Sequence, residues 1–247
     1  MGVPQIGCDC GTCRSEDPRD HRTRTAALIE GHGTTLLVDT PPELRLQLLA
    51  ARTAHVDAVL YTHLHADHTH GIDDLRTITN ARGSLPLYGP RETIEHLERS
   101  FRYIFDEAIV PVPGTSKPRL ETRILEADQP VTIGGLDVLP LRFTHGAATV
   151  FGYRVGPVAY LTDVKQVPPA ARRALAGVEV LVLNALWWRE HPTHLSIGDA
   201  VEVAREVGAR RTFLTHLTHE TSHRELLKRL PPGIEPGYDG LEVSLGS

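Results

Sequence analysis

Four side chains able to hold a metal ion fall within six residues, His63-Leu64-His65-Ala66-Asp67-His68. They follow residues 57–62, an apolar run that reads as a buried strand, and precede residues 69–80, which read as a helix. In an extended segment, side chains two apart point the same way. His63, His65 and Asp67 would therefore line one side as the strand runs out, and the turn into the helix would re-aim His68. Imidazole and carboxylate ligands suit zinc, manganese or iron. The segment offers more ligands than one tetrahedral ion takes from a single stretch, so it reads as half of a two-metal site. The bland alternative is a His-rich surface loop, and the placement of these ligands at the end of an apolar strand argues against it.

The H-x-H-x-D-H spacing resembles the signature of the metallo-β-lactamase superfamily. The resemblance implies an α/β fold, an αββα sandwich of two mixed sheets flanked by helices. It also implies further ligands in a fixed order: a lone His, a bridging Asp and a final His. The matching positions are His145, Asp163 and His216, each at the end of a strand-like run. By the same resemblance, His63, His65 and His145 bind one divalent ion, Asp67, His68 and His216 bind the other, and Asp163 bridges them.

Cys8-x-Cys10-x-x-Cys13 holds every cysteine of the chain. Thiols this close are poor disulfide partners and good metal ligands. A tetrahedral structural zinc needs a fourth ligand, often His. His219, three residues after His216, is the best candidate, and His223 is its rival. The bland reading is a set of free reduced thiols. Together, Gly2-Val3-Pro4 leading into these cysteines and Thr215-His216-Leu217-Thr218-His219 resemble the phosphoribosyl cyclic phosphate phosphodiesterases of the carbon–phosphorus lyase pathway and their relatives. That branch places a structural zinc on three such cysteines and the second His of T-H-x-x-H. It begins with a strand and a Gly-Thr-Gly turn ahead of Gly-Val-Pro, whereas this sequence starts at Met1-Gly2-Val3. Either the edge strand is absent, which would leave a sheet edge unpaired unless another segment covers it, or the true start lies upstream.

Composition narrows the choice of class. A chain of 247 residues suffices for one large domain, and we expect a single domain over 1–247 with residues 1–24 as an N-terminal loop carrying the cysteine site. The net charge of −5 argues against a broad nucleic-acid surface. No run of about twenty apolar residues is present. The N-terminal stretch lacks the basic and apolar regions of a signal peptide, so the expectation is a cytoplasmic protein without a membrane partner.

The positioning elements are legible in outline. Residues 25–30 and 34–39 read as strands joined in a hairpin by Gly31-His32-Gly33. Asp39 ends the second. In the resembling superfamily an Asp here supports the metal loop; the alternative is a cap for a helix over 41–51, and both readings stand. Residues 85–90 read as a strand, 91–105 as a helix and 110–119 as a loop. Strand-like runs follow at 121–125, 131–133, 136–143, 150–155 and 158–162. A helix over 168–176 and a buried strand over 178–183 come next. The loop from Asn184 carries Trp187, Trp188, His191 and His194 into a helix over 196–207, and 211–215 is the strand that delivers His216. The polar stretch 14–24 reads as a solvated loop, or else as a lip that steers phosphate. In the resembling branch a His before the 196–207 helix faces the metals. His194 matches that position best, and His191 is the rival.

These readings converge on a binuclear metal-dependent hydrolase, most naturally a phosphodiesterase acting on a small cyclic phosphodiester. Zinc or manganese would fill the two catalytic sites, iron being a third option, with one structural zinc. His194 would protonate the leaving group, while Asp67 and Asp163 bind metal and orient the nucleophile. The alternatives are a tRNA 3′-processing endonuclease, a thioester or lactone hydrolase, and a metal-binding protein without turnover. The resembling enzymes suggest a homodimer.

Overall fold

The Gly31-His32-Gly33 stretch does turn the chain back. In the computed structural model, which describes residues 2–246, His32 and Gly33 take left-handed φ values of 49° and 75°. They join β1 (Ala27–Gly31) to β2 (Thr34–Val38) in an antiparallel hairpin whose last pair is Gly31 with Thr34. Two left-handed residues in a two-residue loop match the right-handed twist of the strands they connect.

The chain folds as two compact units. One is Thr25–Pro140; the other combines the residues up to Arg24 with those from Leu141 onward. In the first unit, α1 (Leu44–Ala50) leads to β3 (Ala58–Leu60), and α2 (Ala66–Thr69) and α3 (Leu75–Arg82) lead to β4 (Leu85–Gly89). Next come α4 (Arg91–Ser100), α5 (Arg102–Phe105), β5 (Leu120–Ile124) and β6 (Val131–Ile133). A mixed five-stranded sheet runs β1-β2-β3-β4-β5, parallel after its first pair. All three residues of β3 are buried, as a central parallel strand covered on both faces requires. Leu37, Val59, Tyr61, Leu87, Ile94 and Leu97 form part of its core.

Two expectations change here. The helix anticipated over 69–80 starts earlier, at Ala66, and breaks after Thr69. Gly71 is the reason. Its N–H donates to Thr40 O at 2.8 Å instead of continuing the helix ladder, and a Cβ there would lie 2.1 Å from Pro41 O. Only glycine permits so close an approach of backbone to backbone. In consequence Asp67 is carried by the first turn of α2 rather than by an extended segment alternating with His63 and His65. The helix anticipated over 91–105 is likewise interrupted at Phe101, whose φ and ψ of −111° and 42° leave the helical region.

The chain passes from one unit to the other within β7 (Leu136–His145). Then follow β8 (Ala148–Val155), β9 (Val158–Leu161), α6 (Pro169–Ala174), β10 (Val180–Asn184), α7 (Ile197–Val207), β11 (Arg211–Thr215), α8 (His223–Arg229) and β12 (Ile234–Pro236). The second sheet runs β12-β11-β10-β9-β8-β7-β6 and is also mixed. β12 is short and Pro-terminated and carries no alternation of its own, so it could not be read from the sequence. α7 could. Its apolar residues Ile197, Ala200, Val201, Ala204 and Val207 repeat at helical spacing and are buried. Ser196 and Asp199 cap each other's backbone N–H groups at 3.1 Å, and Gly208 ends the helix in the left-handed region. Among the described residues no helix is long and apolar enough to cross a membrane.

Candidate metal centre

Parallel pairing sets the geometry in the second unit. Leu161, Leu183 and Leu214 are matched across β9, β10 and β11. The residues just beyond them, Asp163, Asn184 and His216, therefore emerge at one edge of the sheet. His145 ends β7, three residues before β8 begins. Asp163 and His216 adopt left-handed φ values of 56° and 57°, a backbone state that Asp and His tolerate better than most residues. The turn takes both side chains out of the strand alternation.

Imidazoles gather on the Asp163 carboxylate. His194 Nε2 lies 3.3 Å from Oδ2 and His216 Nε2 lies 3.4 Å from Oδ1. His145 Nε2 is 3.9 Å from Oδ2. A carbonyl only accepts, so the 3.0 Å contact of His145 Nδ1 with Thr193 O puts the proton on Nδ1 and the lone pair on Nε2. Thr162 donates to Asp163 Oδ1 at 2.6 Å. The donor atoms of Asp163, His194 and His216 all lie within 4.8 Å of one another. This set of nitrogen and carboxylate ligands has the chemistry a divalent ion requires.

His194 and His191 are told apart here. His194 touches Asp163, whereas His191 contacts His194, Nδ1 to Nδ1 at 3.1 Å, accepts from Thr193 N at 3.3 Å, and packs edge-on against Trp187. Burial and the neighbouring His194 lower the His191 pKa. Trp187 and Trp188 are each covered by a guanidinium at 3.7 Å, from Arg189 and Arg229 respectively. Sequence reasoning passed over Asn184. Its amide accepts from Val164 N at 2.8 Å and donates to Val164 O at 3.2 Å, pinning the segment that carries Asp163. A buried Asn closing the apolar run Val180–Asn184 was the signal.

In the first unit, His63, His65, Asp67 and His68 form the other cluster. His63 Nε2 is 3.0 Å from His65 Nδ1, and the His63 and His68 rings are 4.3 Å apart. Asp39 holds this segment rather than capping α1, whose preceding residue is Glu43. Its carboxylate accepts from Thr62 N and Thr62 Oγ1, both at 2.8 Å, and from His68 Nδ1 at 2.7 Å. Because a carboxylate only accepts here, His68 keeps its proton on Nδ1 and offers Nε2. Burial raises the Asp39 pKa, against the pull of His68. Asp39→Asn should weaken metal binding by about 10- to 100-fold in a competitive chelator titration. Unchanged affinity would reduce Asp39 to a brace for Thr62.

The three cysteines are free of disulfides and gather on His219. Cys8 Sγ and Cys10 Sγ are each 3.3 Å from His219 Nδ1. A tetrahedral zinc with ordinary Zn–S and Zn–N bonds sets S and N about 3.5 Å apart, so the cluster has room for that ion. His219 beside it lowers the Cys10 pKa to about 6, while burial pushes Cys13 up to about 11. His223 lies elsewhere: its N–H donates to Asp20, and its ring packs on Tyr238. The basic stretch nearby is committed internally. Arg14 pairs with Asp9, Arg19 pairs with Asp17, and buried Arg22 donates to Gly237 O.

Comparison with known proteins agrees with this chemistry. The model of a family described as "Beta-lactamase superfamily domain" matches residues 34–217. A solved structure described as a new diphosphatase from the PhnP family superposes with a TM-score of 0.90 at 35% identity, covering 100% of this chain and 94% of that one. An octanoyltransferase of Porphyromonas gingivalis is 41% identical over 245 residues, which is 98% of this chain but 49% of that protein. The chain thus spans about half the length of that relative. A ribonuclease Z of Methanopyrus kandleri is 28% identical over 92% of this chain and 93% of its own length.

Proposed function

The chain belongs to the β-lactamase superfamily, a metal-binding hydrolase of the metallo-β-lactamase fold, and from that premise we propose that it hydrolyses a small phosphodiester, a ribose cyclic phosphate being the best candidate. In this reading the chain is a single hydrolase domain with a binuclear metal centre. By the ligand order of the family, His63, His65 and His145 would hold one ion, Asp67, His68 and His216 the other, and Asp163 would serve both. The observation that carries the reading is the convergence of imidazole Nε2 atoms on the Asp163 carboxylate. The likeness to a diphosphatase, at 35% identity over the whole chain, supports phosphorus as the electrophile.

Two divalent ions, manganese or zinc, with iron a third option, lower the pKa of water and offset charge on the attacking and leaving oxygens when bound. The chain's own residues do the rest. His194 delivers a proton to the departing alkoxide, and Thr193 sets its ring through a 3.1 Å contact at Nδ1. Asp67 and Asp163 would hold the ions and orient the nucleophile. Cys8, Cys10, Cys13 and His219 hold a structural zinc. Three thiols kept reduced for a metal suit a cytoplasmic setting.

The diphosphatase likeness also favours a second substrate, a diphosphate bond, because the same phosphorus chemistry serves an anhydride. The ribonuclease Z likeness makes an RNA phosphodiester the remaining rival. The octanoyltransferase name belongs to a protein about twice as long and is not carried over. A panel of ribose cyclic phosphate, a dinucleoside diphosphate and a precursor tRNA tests the reading on manganese-loaded protein. Preferred turnover of the cyclic diester supports it. Preferred turnover of the diphosphate shifts the substrate class. Salt-steep tRNA affinity with cleavage would favour the nuclease.

A further inference from the structure

Residues 188–194 form the middle of the loop that carries His191 and His194. On either side of them the backbone is pinned. Ala185 N donates to Thr215 O, Leu186 N to Leu195 O, Leu195 N to Val164 O and Ile197 N to Trp187 O. Among the described residues, none of 188–194 makes a backbone–backbone bond, so side chains must set the position of this stretch. Arg189 supplies the strongest tie. Its Nη1 donates to Glu220 Oε2 at 2.7 Å, and its Nη2 lies 2.6 Å from Oε1, the fork in which guanidinium and carboxylate bind best. The same guanidinium covers the Trp187 ring at 3.7 Å. That ring packs edge-on against His191, which contacts His194. Trp188 adds a second tie, donating from Nε1 to Thr221 Oγ1 at 3.2 Å.

We propose that the Arg189–Glu220 pair is a positioning clamp that holds His194 against Asp163 and His216. The proposal rests on the reading of His194 as the proton donor. One end of the clamp is anchored. Glu220 directly follows His219, whose Nδ1 is 3.3 Å from both Cys8 Sγ and Cys10 Sγ, and Thr218 N donates to Leu186 O. The other end carries the chemistry. His194 Nε2 lies 3.3 Å from Asp163 Oδ2, and the His194 and His216 rings are 4.9 Å apart. With side chains 60% and 30% exposed, a simple ion pair here would contribute little. The planar fork and the indole beneath it fix direction as well as distance, which is what positioning requires. Arg189 acts on the loop as a whole and touches neither His194 nor Asp163. Its loss should therefore misplace the proton donor and leave substrate binding intact.

Hydrogen exchange and steady-state kinetics on manganese-loaded protein test the proposal together, with folding checked by circular dichroism. Arg189→Ala and Glu220→Gln should each speed amide exchange across residues 188–194 about tenfold or more. Each should also lower kcat about tenfold or more, with KM within about twofold of wild type. Arg189→Glu should be as poor. Adding Glu220→Arg to it restores an opposite-charge pair and should recover most of the protection and of kcat. Exchange is read without substrate, so a wild type that turns over no cyclic phosphodiester removes the substrate reading and leaves the clamp to be decided by protection and rescue. Unchanged exchange in both single variants overturns the proposal. So does a rise in KM at constant kcat, which would place Arg189 on the substrate, or a double variant no better than Arg189→Glu alone.

Discussion

Replacing Asp163 by Asn should lower kcat/KM on the cyclic phosphodiester by about a thousandfold or more, about 4 kcal/mol of transition-state stabilisation, with the fold intact. The side chain lies 2% exposed at the centre of three imidazoles. An amide of the same size keeps the packing but loses the charge and one acceptor oxygen. The neighbouring histidines should separate in the same assay. His194→Ala removes a group in contact with Asp163 and should reduce kcat about 100- to 10,000-fold, the range for a general acid. His191 touches His194 and Thr193 but not Asp163, so His191→Ala should cost less than about tenfold. Asp163→Asn protein that is folded and metal-loaded yet retains a tenth of wild-type activity would sink the assignment.

Loss of the structural zinc proposed for Cys8, Cys10, Cys13 and His219 should have the largest effect on stability. Structural zinc contributes about 10–16 kcal/mol in isolated zinc-finger peptides, against a total of about 5–15 kcal/mol for a folded protein. Even a fraction of that, spread over a chain of this size, should lower Tm by about 10 °C or more. Cys10→Ala should therefore lose one equivalent of zinc and melt early, with the segment before Arg24 cut first by protease. That segment's other ties include the Asp20 carboxylate, which accepts from His223 N. A bridge between Val3 and Arg22 closes the segment on itself, while Arg22 reaches Gly237 O and Thr23 bonds Asp239. His223→Ala should keep its zinc. A Cys10→Ala protein with an unchanged zinc count would exclude the site.

The parts of this architecture that were legible share a cause. Several strands announce themselves as apolar runs followed by a side chain able to bind a metal, as with His63, Asp163 and His216, so type and position come together. The split of the 69–80 helix was not legible. It depends on Gly71 meeting Thr40 and Pro41, residues some thirty positions away, and local periodicity carries no trace of that meeting. Asp39 shows the intermediate case. The resemblance pointed to a supporting role and local rules to a cap, and its bonds to Thr62 and His68 decide for the former. Asn184 was missed because an Asn at a strand end looks like a turn residue until its partner, twenty positions back, is known.

The most direct test of the central claim is electron paramagnetic resonance of manganese-loaded protein, read alongside turnover of a ribose cyclic phosphate. The binuclear reading predicts an exchange-coupled pair of manganese ions in active enzyme, collapsing to the signal of an isolated ion, with activity lost, in His63→Ala. Full activity with a single uncoupled ion, or with His63→Ala unchanged, would contradict it.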